Sequence, residues 1–355
     1  MRALPFTTSL LLATLVGCGG ADNPTDPFPD PVVPALESVS FALLGSGKVA
    51  FERIGVEAGY IAVYIIDATA GTSAHYFDNT VEYGAAISPD GRRIAYTSYN
   101  SATLYDAIVS NLDGTNPQHV TRFPAQDGPP SWTPDGTKIV VAGWPANSLV
   151  YQVYSQSAVN NPSDQTQLTN FSATPGVPFS CPVIIDNQIR VSISSQGTLA
   201  FACFTSEIDV ISAAGAVSTP YKPSRADRSH WPNLFAAAWS PDGAKVAFIE
   251  TTSDADAGLL AFSHAIKVMN ADGTNVTTLA SAPLTAAANV HAVGGWNGPN
   301  NFSVCWMPDG SRLVFTIPET QLVGHLWVVR ADGTGLTQLT SAPAVWDRSP
   351  SCSVS

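Results

Sequence analysis

Side chains able to do more than pack gather in three stretches between apolar runs. Residues 222–233 read KPSRADRSHWPN and supply Arg225, Arg228, His230 and Trp231; residues 281–301 contain His291 and Trp296; residues 343–349 read PAVWDRS, with Trp346, Asp347 and Arg348. Arg carries a fork of donors for acidic groups, and Trp offers a broad surface with one polar edge. Both are enriched where one molecule grips another. This chemistry is that of non-catalytic binding to protein or glycan. The alternative is a lyase or hydrolase acting on polysaccharide or peptide, with His230 or His291 as acid or base. A third use is packing, with the tryptophans tucked down to anchor long loops.

Other chemistries find no support. The six histidines show no HxH, HxxxH or HExxH spacing, so no metal site and no cofactor is expected. Gly45-Ser46-Gly47-Lys48 lacks the earlier Gly and the following Ser or Thr of a phosphate loop. A formal charge of −12, without any Lys/Arg cluster, repels nucleic acid.

The elements that must position these residues repeat. Residues 131–142 read SWTPDGTKIVVA, 238–248 AWSPDGAKVAF, 305–315 CWMPDGSRLVF and 86–96 AISPDGRRIAY, with a degenerate SISSQGTLAFA at 192–202. Each is a strand, a tight turn and an alternating apolar strand. A second hairpin follows each copy, as in IKVMNADGTNVTTLA at 266–280 and LWVVRADGTGLTQLT at 326–340. Asp-Gly between alternating runs marks a hairpin turn. Asp90, Asp113, Asp135, Asp242, Asp272, Asp309 and Asp332 all fall in such turns. They could form a cation-binding rim, but turn closure accounts for every one at the same repeat position. Two hairpins per unit give a four-stranded blade of roughly 45 residues, which hides its faces by stacking on neighbours.

This pattern resembles the TolB-like β-propeller repeat family, on Trp132, Trp239 and Trp306 with the Pro-Asp-Gly turns beginning at Pro134, Pro241 and Pro308. The resemblance implies an all-β, six-bladed propeller of four-stranded antiparallel blades over 37–355. The expected blades are 37–80, 81–123, 124–172, 178–221, 232–280 and 301–340; seven blades is the less favoured count. The family's N-terminal α/β domain is not expected here, so its partners do not carry over. In the family a terminal strand closes the ring, and 37–44 and 349–355 both qualify. The three binding stretches would lie on the face of the B–C loops and the D–A connections, together with a long B–C insertion at 251–265.

Residues 1–17 read as a signal peptide, with Arg2 ahead of a mostly apolar stretch too short to span a bilayer. Leu15-Val16-Gly17-Cys18 resembles a bacterial lipobox, which implies lipidation of Cys18 and a membrane contact through lipid alone. Gly19 after the Cys favours the outer over the inner membrane. Residues 18–36 are a Pro-rich tether. Outside the cytoplasm, Cys181, Cys203, Cys305 and Cys352 allow two disulfides in three pairings. Cys181–Cys203 within a blade and Cys305–Cys352 across the closure are favoured over four free thiols.

Overall fold

The computed structural model describes residues 36, 39, 41–55, 60–78, 83–100, 104–121, 128–143, 152–159, 164–171, 190–203, 207–223, 230–254, 261–284, 303–319 and 323–353. The signal peptide, Cys18, all but the last residue of the tether, and Cys181 lie outside these residues, as do Arg225, Arg228, His291 and Trp296. No helix among the described residues is long and apolar enough to cross a membrane.

After a 3-10 turn at Phe41–Leu43 come β1 (Lys48–Gly55), β2 (Tyr60–Asp67) and β3 (Thr72–Asp78), three strands without a first partner of their own. Four separate four-stranded sheets follow, each paired in chain order. They are β4 (Tyr83–Ile87), β5 (Arg93–Asn100), β6 (Leu104–Asn111) and β7 (Gln118–His119); then β8 (Ser131–Trp132), β9 (Lys138–Gly143), β10 (Gln152–Ser157) and β11 (Thr166–Gln167). Next are β12 (Ser192–Ile193), β13 (Leu199–Cys203), β14 (Glu207–Ile211) and β15 (Val217–Tyr221); then β16 (His230–Trp239), β17 (Lys245–Asp254), β18 (Ala261–Asn270) and β19 (Thr277–Leu284). Last come β20 (Val304–Trp306), β21 (Arg312–Pro318), β22 (Gly324–Arg330), β23 (Thr337–Gln338) and β24 (Val345–Ser353).

β24 supplies what β1–β3 lack. It runs antiparallel to β1, from Lys48 opposite Ser353 to Gly55 opposite Val345. One parallel bridge, Gly324 to Trp346, also ties it to β22 and produces an eight-stranded sheet. The first strands of successive sheets touch in a circuit: β24, β4, β8, β12, β16, β20 and back to β24. The molecule is an all-β propeller with four-stranded antiparallel blades, closed by its C-terminal strand rather than by 37–44.

The turns explain the repeat. The Ser240 hydroxyl donates to Asp242 at 2.6 Å, the Asp242 carboxylate accepts the Ala244 amide at 3.0 Å, and the Gly243 amide returns to the Ser240 carbonyl at 2.9 Å. Gly243 has φ +71°, which an L side chain adopts only at a cost. Asp90, Asp113, Asp135, Asp272, Asp309 and Asp332 likewise accept the amide two residues on. These hydrogen bonds favour the charged form and hold carboxyls such as Asp113, Asp135, Asp242, Asp272 and Asp332 below the ordinary range. Each carboxylate closes its own turn.

Between sheets the core is apolar. Ala50, Val63 and Ile65 pack on Ala85, Ile94 and Tyr96 on one side of β1–β2. Val49, Phe51 and Tyr64 pack on Val314, Leu326 and Val328 on the other. A recurrent clip joins the first strands one residue before the Trp position. Trp132 and Trp306 donate their indole N–H groups to the carbonyls of Ala86 and Ala238, at 2.8 and 3.1 Å. At Ser192 and Ser351 the hydroxyl instead accepts the next sheet's amide, from Trp239 at 3.0 Å and from Ile87 at 3.3 Å. At Cys305 the same position is covalent, since Cys305 and Cys352 form a disulfide with Cα atoms 5.6 Å apart.

Three expectations about loops need correction. Residues 345–349 are strand, not connection, because β1 requires a partner and β24 is the segment that returns to it. His230 and Trp231 open β16. Most of the expected insertion at 251–265 is the end of β17 and the start of β18, which pair continuously from Lys245 with Asn270 to Asp254 with Ala261; 255–260 lie outside the described residues.

Candidate functional site

The charges expected on a loop rim stand inside the ring. Trp346, Asp347 and Arg348 are 2%, 0% and 5% exposed. A buried charge needs a partner, and β1 provides both. In the register of β24 on β1, Arg53 faces Asp347 and Glu52 faces Arg348. Arg53 Nε and Nη2 donate to the two Asp347 oxygens at 2.6 and 2.8 Å, a bidentate fork. Its guanidinium also lies 5.1 Å from the Tyr64 ring centroid and 5.8 Å from that of Phe51.

The second pair faces the β4 sheet. Arg348 Nε donates to Glu52 Oε2 at 2.8 Å, while Glu52 Oε1 accepts the Gly84 amide and, at 3.2 Å, the Ala85 amide. Gly84, at φ +81°, makes room for Pro129, whose Cβ would stand 2.4 Å from any Cβ placed there. Arg190, two residues before β12, adds a third charge. Its Nη2 donates to the Ala85 carbonyl at 3.3 Å, reaching past β8 to the next strand but one in the circuit. Burial pulls Arg190 down to about 10, and the Glu52 charge opposes the shift. Arg190 thus feels the Glu52 charge through space, while Arg348 holds that carboxylate directly.

Several other buried polar groups clamp strand ends. Thr121, Thr169 and Thr340 accept the amides of Ala107, Val153 and Leu326, at 2.7, 2.8 and 3.0 Å. Gln152 donates to the Phe171 carbonyl at 2.9 Å, and His325 occupies the equivalent place, with Nε2 2.8 Å from the Ala342 carbonyl and Nδ1 2.8 Å from Glu319. His264 is 1% exposed; burial pulls it down to about 4, against a hydrogen bond with the Thr316 backbone. Asp209 is pushed up to about 6 by burial, with the Thr219 hydroxyl working against the shift.

Among the described residues, the expected binding residues Trp346, Asp347 and Arg348 are neighbours in β24, and His230 and Trp231 are neighbours in β16. Sequence reasoning missed Glu52, Arg53 and Arg190. The signal for the first two was present: Glu-Arg inside the apolar run VAFERIG matches Asp-Arg in VWDRS when the strands are antiparallel.

No protein-family model matches the chain. It is 51% identical over 51 residues to the Tol-Pal system protein TolB of Anaeromyxobacter dehalogenans (strain 2CP-C), and 37% identical over 54 residues to that of Alcanivorax borkumensis. These segments are 14% and 15% of this chain, and 11% and 12% of those relatives' lengths. The crystal structure of TolB from Acinetobacter baumannii superposes with a TM-score of 0.62 at 18% identity, over 86% of this chain and 66% of that one. The fold is thus similar to that seen in TolB. In this propeller the described ion pairs act first as strand clamps.

Proposed function

We propose that this chain is a six-bladed, lipid-anchored scaffold of the cell envelope that binds protein or glycan without catalysis. Separating the eight-stranded sheet at its single parallel bridge gives six four-stranded units, in line with the circuit of first strands. The observation that carries the binding role is the reciprocal pairing of Arg53 with Asp347 and of Glu52 with Arg348. These charges hold the wall of the ring rigid, and a rigid scaffold is what partner-binding loops require. The likeness to envelope TolB proteins supports the same setting.

In this reading residues 1–17 are removed, Cys18 carries lipid at the outer membrane, 18–36 form the tether and 37–355 the propeller. Contact is made from the face of Arg225, Arg228, His230, Trp231, His291 and Trp296. Trp346 is not a suitable probe, since removing a buried ring opens a cavity. The test is capture from solubilised envelopes with the intact lipoprotein and with Trp231→Ala/Trp296→Ala. Loss of a captured partner in the variant is the expected result, and identical recovery by both contradicts the chosen face. Labelled palmitate should enter the wild type but not Cys18→Ser; equal labelling overturns the anchor.

A further inference from the structure

We infer that His325 is a proton-operated tie that fastens the β21–β22 connection to the segment entering β24. The residue is buried, and both ring nitrogens face acceptors: Nε2 lies 2.8 Å from the Ala342 carbonyl and Nδ1 2.8 Å from Glu319 Oε1. A carbonyl and a carboxylate can only accept, and a neutral imidazole has one N–H. Both bonds therefore exist together only in the imidazolium. Glu319 is the charged group that meets the ring. The neighbours from the other elements are uncharged: Ile317 opposite it on β21, Gln338 on β23, Thr340 and Ala342 beyond β23, and Trp346 on β24.

The chain carries its own comparison. In the β8–β11 sheet Gln152 takes the same place and donates to the Phe171 carbonyl at 2.9 Å. Thr169 and Thr340 accept the amide that follows, Val153 or Leu326, in the two sheets. One donor is enough for that clamp. His325 adds a second contact, toward Glu319, and this contact needs the ring's second proton. Once that proton leaves, the Nδ1 lone pair meets a carboxylate oxygen and the two repel. The buried Ala342 carbonyl would be left unpaired without Nε2–H, so Nε2 keeps its proton. The Glu319 side chain is 39% exposed and takes water instead. Histidine ordinarily changes charge between about pH 5 and 8, so the tie is closed in acid and open in mild alkali. By strand order Glu319 begins a B–C connection and Ala342 lies in a D–A connection. The tie thus joins two loops of one face, whatever that face binds.

Heteronuclear NMR of the imidazole rings and amide exchange, both on the full chain from about pH 5 to 8, test the tie. The His325 ring should carry both protons at the acid end and lose the one on Nδ1 as pH rises. Over the same range the Glu319 amide, which donates to the Val323 carbonyl at 2.8 Å, should lose about fivefold or more of its protection after correction for the intrinsic rate. His325→Gln should abolish this pH dependence. So should Glu319→Gln, since an amide offers an acceptor to the charged ring and a donor to the neutral one. This second variant changes a half-exposed side chain and carries the test if His325→Gln does not fold. Loss of the Nε2 proton first, pH-independent protection of the Glu319 amide in the wild type, or an unaltered pH dependence in a folded variant overturns the tie.

Discussion

The joint between the β16–β19 and β20–β23 sheets and the joint where β24 meets β1 do the same task with different chemistry. The first is mostly apolar: Phe235, Ile249 and Ile266 pack on Val304, Leu313 and Phe315, with one indole hydrogen bond from Trp306 to Ala238. Its sheets are consecutive in the chain, so connectivity already brings them together. The second must recruit a strand 294 residues away from Arg53. A one-residue slip already turns every apolar side chain to the other face, and paired charges add a second penalty. Moving β24 by one residue in one direction sets Arg348 opposite Arg53; in the other it sets Asp347 opposite Glu52. Both slips oppose like charges, so the ion pairs select the register, and the disulfide locks the strand in place.

The largest effect should come from unbalancing that selection. Asp347→Ala removes the bidentate partner of the buried Arg53 guanidinium and should cost about 3–5 kcal/mol in chemical denaturation. Arg53→Met/Asp347→Leu should cost much less; equal losses would show that bulk rather than charge holds the closure. Removing the disulfide as Cys305→Ser/Cys352→Ser frees a 47-residue loop and should cost up to about 4 kcal/mol. An unchanged denaturation midpoint would mean that the ion pairs alone suffice.

The apolar joint has its own weak point, which is acid. His264 titrates at about 4 in the folded chain, below its ordinary 6.5. Between those values the unfolded chain takes up the proton and the folded chain does not. Stability attributable to this residue should fall as pH drops from about 6.5 to 4, by up to about 3 kcal/mol. Asp209, raised to about 6, works in the opposite sense, losing stability as pH rises through that value. Denaturation across this range should show His264→Gln less acid-sensitive than the wild type; parallel curves would contradict the assignment. The smallest expected difference lies between two tryptophans. Trp306→Phe deletes a hydrogen bond, whereas the Trp239 indole N–H has no partner among the described residues. Trp306→Phe should therefore cost about 1 kcal/mol more than Trp239→Phe.

Much of this architecture is legible in the sequence because turns are local. Pro-Asp-Gly and Asp-Gly declare hairpins, and their regular recurrence declares blades. The residue before the Trp slot of the repeat is small in each copy, as a close inter-sheet clip requires: Ala86, Ser131, Ser192, Ala238, Cys305 and Ser351. The closing strand was legible only in part, since 349–355 qualified for the closure while 345–348 read as a connection. Asp347 and Arg348 look like surface residues until Arg53 and Glu52 stand opposite them, and that pairing is set by closure of the ring. Arg190 was invisible for a related reason: its significance depends on a carbonyl in another sheet.

The closure itself is tested most directly by amide hydrogen exchange across β1, comparing the full chain with one ending at Ala344. If β24 is the inner partner of β1, amides from Val49 to Arg53 should lose protection in the shortened chain, and a synthetic Val345–Ser355 peptide should restore it. Unchanged protection of β1 without β24 would contradict the account.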